Sequence, residues 1–487
     1  MSNTQNISVI IVGAGPSGLV AAAAVLEDKT AAAVTILEKD PTYVGGIART
    51  VEYRGFRFDI GGHRFFSKSQ QITAWWKDRL PKDFIEVGRL SRIFYKGIFF
   101  DYPLKAFNAL FGLGVWSSTL CVLSYVKSRM APISPEKSFQ DWVTNRFGRR
   151  LFQIFFKTYT EKVWGMPCYQ ISADWAAQRI KGLSLLNAII HAIIPQKKKP
   201  GAKVVKTLID KFQYPKLGPG QMWEKTRDDI VREGGEIHMG ENVVKITREG
   251  NRAISVTSIN SQGMERTFAA DEFIVSMPLR ETILAVEPPF PADILQAARN
   301  LQYRDFLTVA LMVKQDKLFP DNWIYVHDPS VKLGRIQNFN NWSPFLVPTP
   351  NVTCLGLEYF CFEGDELWAM SDADLIELGK REVCQLGLVK SDSVFDGCVV
   401  RMPKSYPIYG PTYQKDVESI RQQISEMENL QVVGRNGMHK YNNMDHSMMT
   451  ALVAAQRLSG STLDPWKVNT DAEYHEQGEI DANTKGE

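Results

Sequence analysis

Two arginines from distant segments, Arg335 and Arg435, each carry a planar fork able to hold a diphosphate through paired hydrogen bonds. Tyr325, Tyr406 and Tyr441 add phenolic donors for phosphate oxygens, and Trp323 offers a face for ring stacking. Taken singly, each aromatic reads equally well as core packing, and each arginine as half of a surface ion pair. A second kind of site stands near the N-terminus, where Gly13-x-Gly15-x-x-Gly18 is followed 20 residues later by Glu38. That spacing suits a dinucleotide. Gly13 permits a tight turn, Gly15 lets a pyrophosphate approach the backbone, Gly18 lets a helix pack close, and Glu38 can bind a ribose hydroxyl. No Ser-His-Asp or Cys-His set accompanies these residues, and no His or carboxylate spacing suggests a metal, so a bound cofactor is expected to carry the chemistry.

Elements must hold these groups in place. Residues 7–12 form a β-branched run of the kind buried in parallel sheets, the glycines follow at once, and residues 19–27 read as a helix leading to a strand at 33–37. Strand character returns at 236–238, 243–247, 253–258 and 273–276, and again at 306–313, 323–326, 335–339 and 354–360. A last strand at 432–434 leads to a helix at 447–458, while the stretch from 67 to 211 is predicted to be mostly helical. The tail from 464 to 487 is acidic and aperiodic and is predicted to be disordered.

The chain has 487 residues, 44% apolar and 23% charged, which excludes a mainly disordered, collagenous or coiled-coil protein. Its net charge of +3 is too weak for a nucleic-acid footprint. Six dispersed cysteines and the lack of a signal-peptide pattern fit a cytoplasmic protein with reduced thiols. Residues 106–126 carry no charge and are flanked by Lys105, Lys127 and Arg129. They read as a buried or groove-lining helix, as an interfacial helix on the inner face of a membrane, or as a span. A second apolar segment, 183–194, runs into Lys197-Lys198-Lys199.

Glu38-x6-Gly45-Gly46-Ile47-Ala48-Arg49-Thr50 resembles the second flavin motif of the superfamily that holds amine oxidases, protoporphyrinogen oxidases and UDP-galactopyranose mutases. Its paired glycines let backbone approach a ligand, and Arg49 offers a fork for a diphosphate oxygen. Residues 56–63, ending Asp59-Ile60-Gly61-Gly62-His63, are similar to the segment that sets a histidine beside the flavin in the mutases. Further similarity runs through Tyr102-Pro103, Lys162-Val163-Trp164 with Trp175 and Arg179 behind it, Trp323-x-Tyr325, Arg335, Tyr406-Pro407, and Gly434-Arg435 with Tyr441, Asp445, His446 and Ser447.

The resemblance implies an α/β fold with three parts. A discontinuous Rossmann-type FAD domain would comprise 1–66, 212–283 and 424–463, a helical domain 67–211, and an antiparallel-sheet substrate domain 284–423. It implies non-covalent FAD held by Gly13, Gly15, Gly18, Glu38, Gly45, Gly46, Arg49, Gly61, Gly62, His63, Val243, Gly434, Arg435, Asp445 and Ser447. The substrate set it implies is Tyr102, Phe155, Trp164, Arg179, Trp323, Tyr325, Arg335, Tyr406 and Tyr441, with His63, Arg335 and Arg435 at the reacting centre and NAD(P)H a candidate external reductant. Lys105 and Thr160 depart from the mutases where those enzymes carry amides facing the nucleotide, which leaves the base open. Three functions follow. One is pyranose–furanose isomerisation of a nucleotide-linked sugar through N5 of reduced flavin. Another is oxidation of an apolar or lipid-linked substrate, and the third is a flavin-binding scaffold for polysaccharide assembly.

Overall fold

The computed structural model describes residues 7–102, 104, 106–173, 207–208, 211–468 and 477–478. Arg179, Trp175 and the 183–199 segment lie outside them.

Ser8–Val12 forms the centre of a five-stranded parallel sheet, because its β-branched side chains find apolar partners on both faces. Ala33–Glu38 and Glu236–Met239 pair outward on one side, and Glu272–Val275 and Leu430–Val432 on the other. The helix Pro16–Glu27 crosses between the first two strands, nine of its twelve residues buried. Gly18 is required there: a Cβ would lie 1.8 Å from the carbonyl oxygen of Gly13. The C-terminal helix Met444–Leu458 packs along Pro16–Glu27, so the two ends of the chain share one layer.

A seven-stranded sheet forms the second body of the fold, built around Tyr303–Val313, Thr353–Cys361 and Val394–Pro407, with the first two buried along their whole length. Two expectations need correction here. The sheet is mixed rather than antiparallel, since Trp323–Val326 pairs in parallel with Ser91–Tyr95. The stretch after residue 67 is also not mainly helical at its start: Phe84–Gly88, Ser91–Tyr95 and Ile98–Asp101 are strands. The last two form a hairpin whose Lys96-Gly97 turn has φ of 49° and 79°, the left-handed pair that a two-residue hairpin demands. The strand Ser91–Tyr95 shows no clean alternation, since the neighbours Ile93 and Phe94 are both buried.

The tail is ordered at its beginning, contrary to expectation. Pro465–Lys467 forms a 3-10 turn, Trp466 packs against the core beside the parallel sheet, and Lys440 Nζ donates to the carbonyls of Trp466 and Val468. A single large aromatic outweighed the polar composition around it.

The apolar stretch is a helix, Ala106–Met130, broken at Gly114 (φ 76°, ψ 160°). Cys121 and Tyr125 are buried on one side, where Phe139–Phe147 packs, while Val115, Trp116 and Leu123 face outward. Among the described residues no helix is long and apolar enough to cross a membrane.

Candidate functional site

The fingerprint residues build a phosphate-sized opening at the head of the first helix. Gly15 is its N-cap, no side chain caps the helix, and Pro16 occupies a first-turn position that lacks an amide to satisfy. The first-turn amides are therefore open to an anion, with the helix dipole behind them. A Cβ placed on Gly15 would meet nothing within 4 Å, so the backbone there borders open space. Glu38 is nearly buried, its Oε2 accepting from the Ala14 amide (2.6 Å) and its Oε1 from the Asp40 amide (2.8 Å). Burial raises its pKa against the pull of those two bonds. Two lone-pair positions remain for a diol.

The second glycine motif is stitched to the first: the Gly45 amide donates to the Ala14 carbonyl at 2.8 Å. Arg49 does not present a free fork. Its Nη1 is taken by Asp40, its guanidinium lies over the Tyr43 ring, and its buried Nε has no hydrogen-bond partner. From the far end of the chain, a Cβ on Gly434 would lie 2.2 Å from Ser17 Oγ. Asp445 accepts from Ser67 Oγ (2.9 Å), and Ser447 is buried in the first turns of the last helix. Open space at Gly15, uncapped amides and the spare capacity of Glu38 together fit a dinucleotide. Val243 packs its side chain with Val12 and Leu37, the residues that directly precede Gly13 and Glu38.

Beside this opening lies a cavity of about 170 Å³. The structure brings Gly61, Gly62, His63, Trp323, Tyr325, Arg335, Tyr406, Arg435, Tyr441 and Asp445 to its wall. Tyr102 reaches the same group through Tyr325, ring centroids 4.7 Å apart. Phe155 and Trp164 are not on the wall. Phe155 packs edge-on against Phe100 at 5.0 Å, and Trp164 is buried in the same aromatic core. The cluster they belong to packs against Tyr102, Tyr325 and Tyr441, so both stand behind the cavity tyrosines.

The two arginines differ in their partners. Arg335 stands directly across two antiparallel strands from Glu358, and the two form a short ion pair. Glu358 is fully buried, and its other oxygen accepts from Gln337 Nε2 at 2.7 Å. Arg435 is half-buried and has no carboxylate among the described residues. It donates to the carbonyls of Asn442 (2.9 Å) and Ser405 (3.2 Å). Its guanidinium carbon lies 4.5 Å from the Tyr441 ring centre and 5.5 Å from that of Tyr406. Those two rings stack at 5.9 Å. Burial pushes the Tyr406 phenol up to about 12, with Arg335 opposing, so it stays a donor at neutral pH.

Sequence reasoning missed one group on the cavity wall, Arg64, and two behind it, Arg89 and Glu358. Arg64 lies 5.1 Å and Arg89 5.3 Å from the Trp323 ring centre, in cation–π contact. Arg64 follows His63 directly and could have been taken with it. Glu358 was also legible as the single charge in the buried strand Thr353–Cys361.

His63 opens on the cavity along one side and is enclosed on the others. Burial, then Arg435, lowers its pKa to about 3, and its Nδ1 has no partner within the chain. Burial likewise lowers His327 to about 3 and His439 to about 4. Each is neutral when folded and takes a proton near its ordinary value of 6.5 when unfolded. Their contribution is therefore complete above 6.5 and declines as pH falls toward 3 to 4. Asp59, raised to about 7 by burial, acts in the opposite sense, as do Glu38, Glu224, Glu272 and Asp305, which burial also raises. Each histidine taken singly accounts for a loss of about 1 kcal/mol between pH 7 and 5.5, so His439→Gln should reduce the drop in stability over that range by about that amount. Urea unfolding of wild type and variant at both pH values reads it, and an identical pH dependence would contradict the assignment.

A family model described as flavin-containing amine oxidoreductase matches residues 16–459. The fold is similar to a crystal structure of reduced UDP-galactopyranose mutase, with a TM-score of 0.81 and 21% identity over 95% of this chain and 99% of that one. It is also similar to a putative protoporphyrinogen oxidase from Exiguobacterium sp. 255-15, with a TM-score of 0.69 and 15% identity over 94% and 100%. A redesigned putrescine oxidase gives a TM-score of 0.60 and 14% identity over 93% and 99%. At these identities the likeness speaks for the fold alone.

Proposed function

The chain belongs to the flavin-containing amine oxidoreductase family, and on that premise we propose that it is an FAD-dependent mutase interconverting pyranose and furanose forms of a nucleotide-linked sugar. The observation that carries this reading is Arg435, a half-buried cation on a cavity wall with carbonyls and tyrosine rings around it but no carboxylate among the described residues. Such a charge is costly to enclose unless an anion arrives to meet it. Arg64 also lines the cavity, and the Trp323 ring is already in contact with Arg64, Arg89 and Trp342.

Flavin supplies a nucleophilic nitrogen when reduced and a two-electron acceptor when oxidised. The chain's own groups have a different task. Arg435 with Tyr406 and Tyr441 would hold a diphosphate, so that it stays near the sugar for the return step. Neutral His63 can exchange hydrogen bonds without adding charge. NAD(P)H is the reductant proposed to prime the cycle.

A second reading, oxidation of an apolar or lipid-linked substrate, is favoured by Glu358, which neutralises Arg335. The two differ in the redox state they need. Dithionite-reduced enzyme held without oxygen should convert one of a panel of nucleotide sugars to its furanose, detected by chromatography, with no oxidant consumed. Bleaching of oxidised flavin by an apolar substrate, with no sugar isomerised, would instead establish the oxidoreductase. Arg435→Gln should weaken binding of the nucleotide sugar by about 2–3 kcal/mol, measured per mole of bound flavin because the resemblance also sets Arg435 beside the cofactor. Unchanged affinity by calorimetry would remove the argument from this arginine.

A further inference from the structure

We propose that the outer face of the helix Ala106–Met130 rests in the plane of an anionic bilayer. Beyond the break at Gly114 the helix runs straight for about 24 Å at 1.5 Å per residue. Along it Val115, Trp116, Val122, Leu123, Val126 and Met130 are exposed, three of them by more than three-quarters (86%, 77% and 82% for Val115, Trp116 and Met130). Their spacing places them on one side, opposite the buried Cys121 and Tyr125. A contiguous apolar face of this kind calls for a partner.

Charge identifies which one. From Tyr102 to Pro135 the sequence holds no Asp or Glu, and its only charged residues are Lys105, Lys127 and Arg129. Arg149 is exposed at the start of the next helical turn, which packs on this helix, and the Arg150 amide donates to Ser124 Oγ at 3.1 Å. A second copy of the chain docking through a two-fold axis would set these cations against themselves. An anionic membrane would neutralise them.

The cavity between the Lys96-Gly97 hairpin and the helix, lined by Gly112, Ser117 and Arg150, lies on the buried side with Cys121 and takes no part in this contact. Among the described residues no helix can span, so attachment is in-plane, reversible and sensitive to salt.

Flotation of the flavin-loaded enzyme on vesicles tests this. Protein should float with phosphatidylcholine vesicles containing roughly one-third phosphatidylglycerol and be released by salt near 0.5 M, where screening is short-ranged. Phosphatidylcholine alone should bind at least tenfold less. Trp116→Asp with Leu123→Asp, both at exposed positions, should abolish flotation. Lys127→Gln with Arg129→Gln, at exposed positions, should weaken it about fivefold per charge removed. Flavin absorbance of each variant verifies folding. The proposal fails if wild type does not float on the anionic vesicles, or if the variants float as well as wild type. It fails equally if light scattering finds a dimer that Trp116→Asp dissociates, since the face would then join two copies.

Discussion

Gly15→Val should give a folded but colourless protein. The backbone at Gly15 has φ −73° and ψ 179°, an extended conformation a β-branched residue adopts without strain. A Cβ there meets no protein atom within 4 Å, so the substitution leaves the flavin-free fold intact. What it fills is the open space before the uncapped helix amides, where a pyrophosphate would lie. Flavin affinity should fall by more than about 3 kcal/mol, the scale of several charge-assisted hydrogen bonds lost together. Absorbance at 450 nm per mole of purified protein measures the loss, and circular dichroism checks the fold. A yellow variant with full flavin content would place the cofactor elsewhere. A variant that unfolds would show that the space at Gly15 is not open.

Arg335→Ala is expected to be chiefly a stability mutation, with a loss of about 3–5 kcal/mol. Its partner Glu358 is fully buried, and without the guanidinium it would keep only its bond from Gln337. An unpaired carboxylate in such a place either takes up a proton or draws in water, and both are costly. Adding Glu358→Gln to Arg335→Ala should recover more than half of the loss, since an amide is cheaper to leave there than a charge. Urea unfolding of the two variants beside wild type separates these terms. If Arg335→Ala is as stable as wild type, the ion pair does not hold the sheet together, and Arg335 is free to serve a ligand instead.

Much of the parallel sheet was legible because its strands are continuous β-branched runs with glycines at the turns, a pattern few other structures accept. The glycine fingerprint with Glu38 was legible for the same reason: each residue type answers one steric demand. The strands between Phe84 and Asp101 were not, since they are short and Ser91–Tyr95 lacks clean alternation. In the cavity, the sequence showed which residues could meet but not their partners. Arg335 and Arg435 look alike in one dimension. Only pairing across strands reveals that one faces Glu358 and the other faces carbonyls. Phe155 and Trp164 went astray because an aromatic side chain looks the same whether it stacks on a ligand or on Phe100.

The fifth strand of the parallel sheet, Leu430–Val432, and the Gly434 that closes on Ser17 come from the last tenth or so of the chain. During synthesis, therefore, the first strand and its glycine loop emerge long before the segment that completes their sheet. Until then Glu272–Val275 has an unpaired edge, and the first helix lacks the Met444–Leu458 layer that covers it. Long-range pairing of this kind is slow and leaves apolar surface waiting on the ribosome. A chain cut short by a few dozen residues loses a strand of the sheet and a wall of the cavity together. The strand, the glycine contact and that wall of the cavity thus arrive together, within one short stretch of chain.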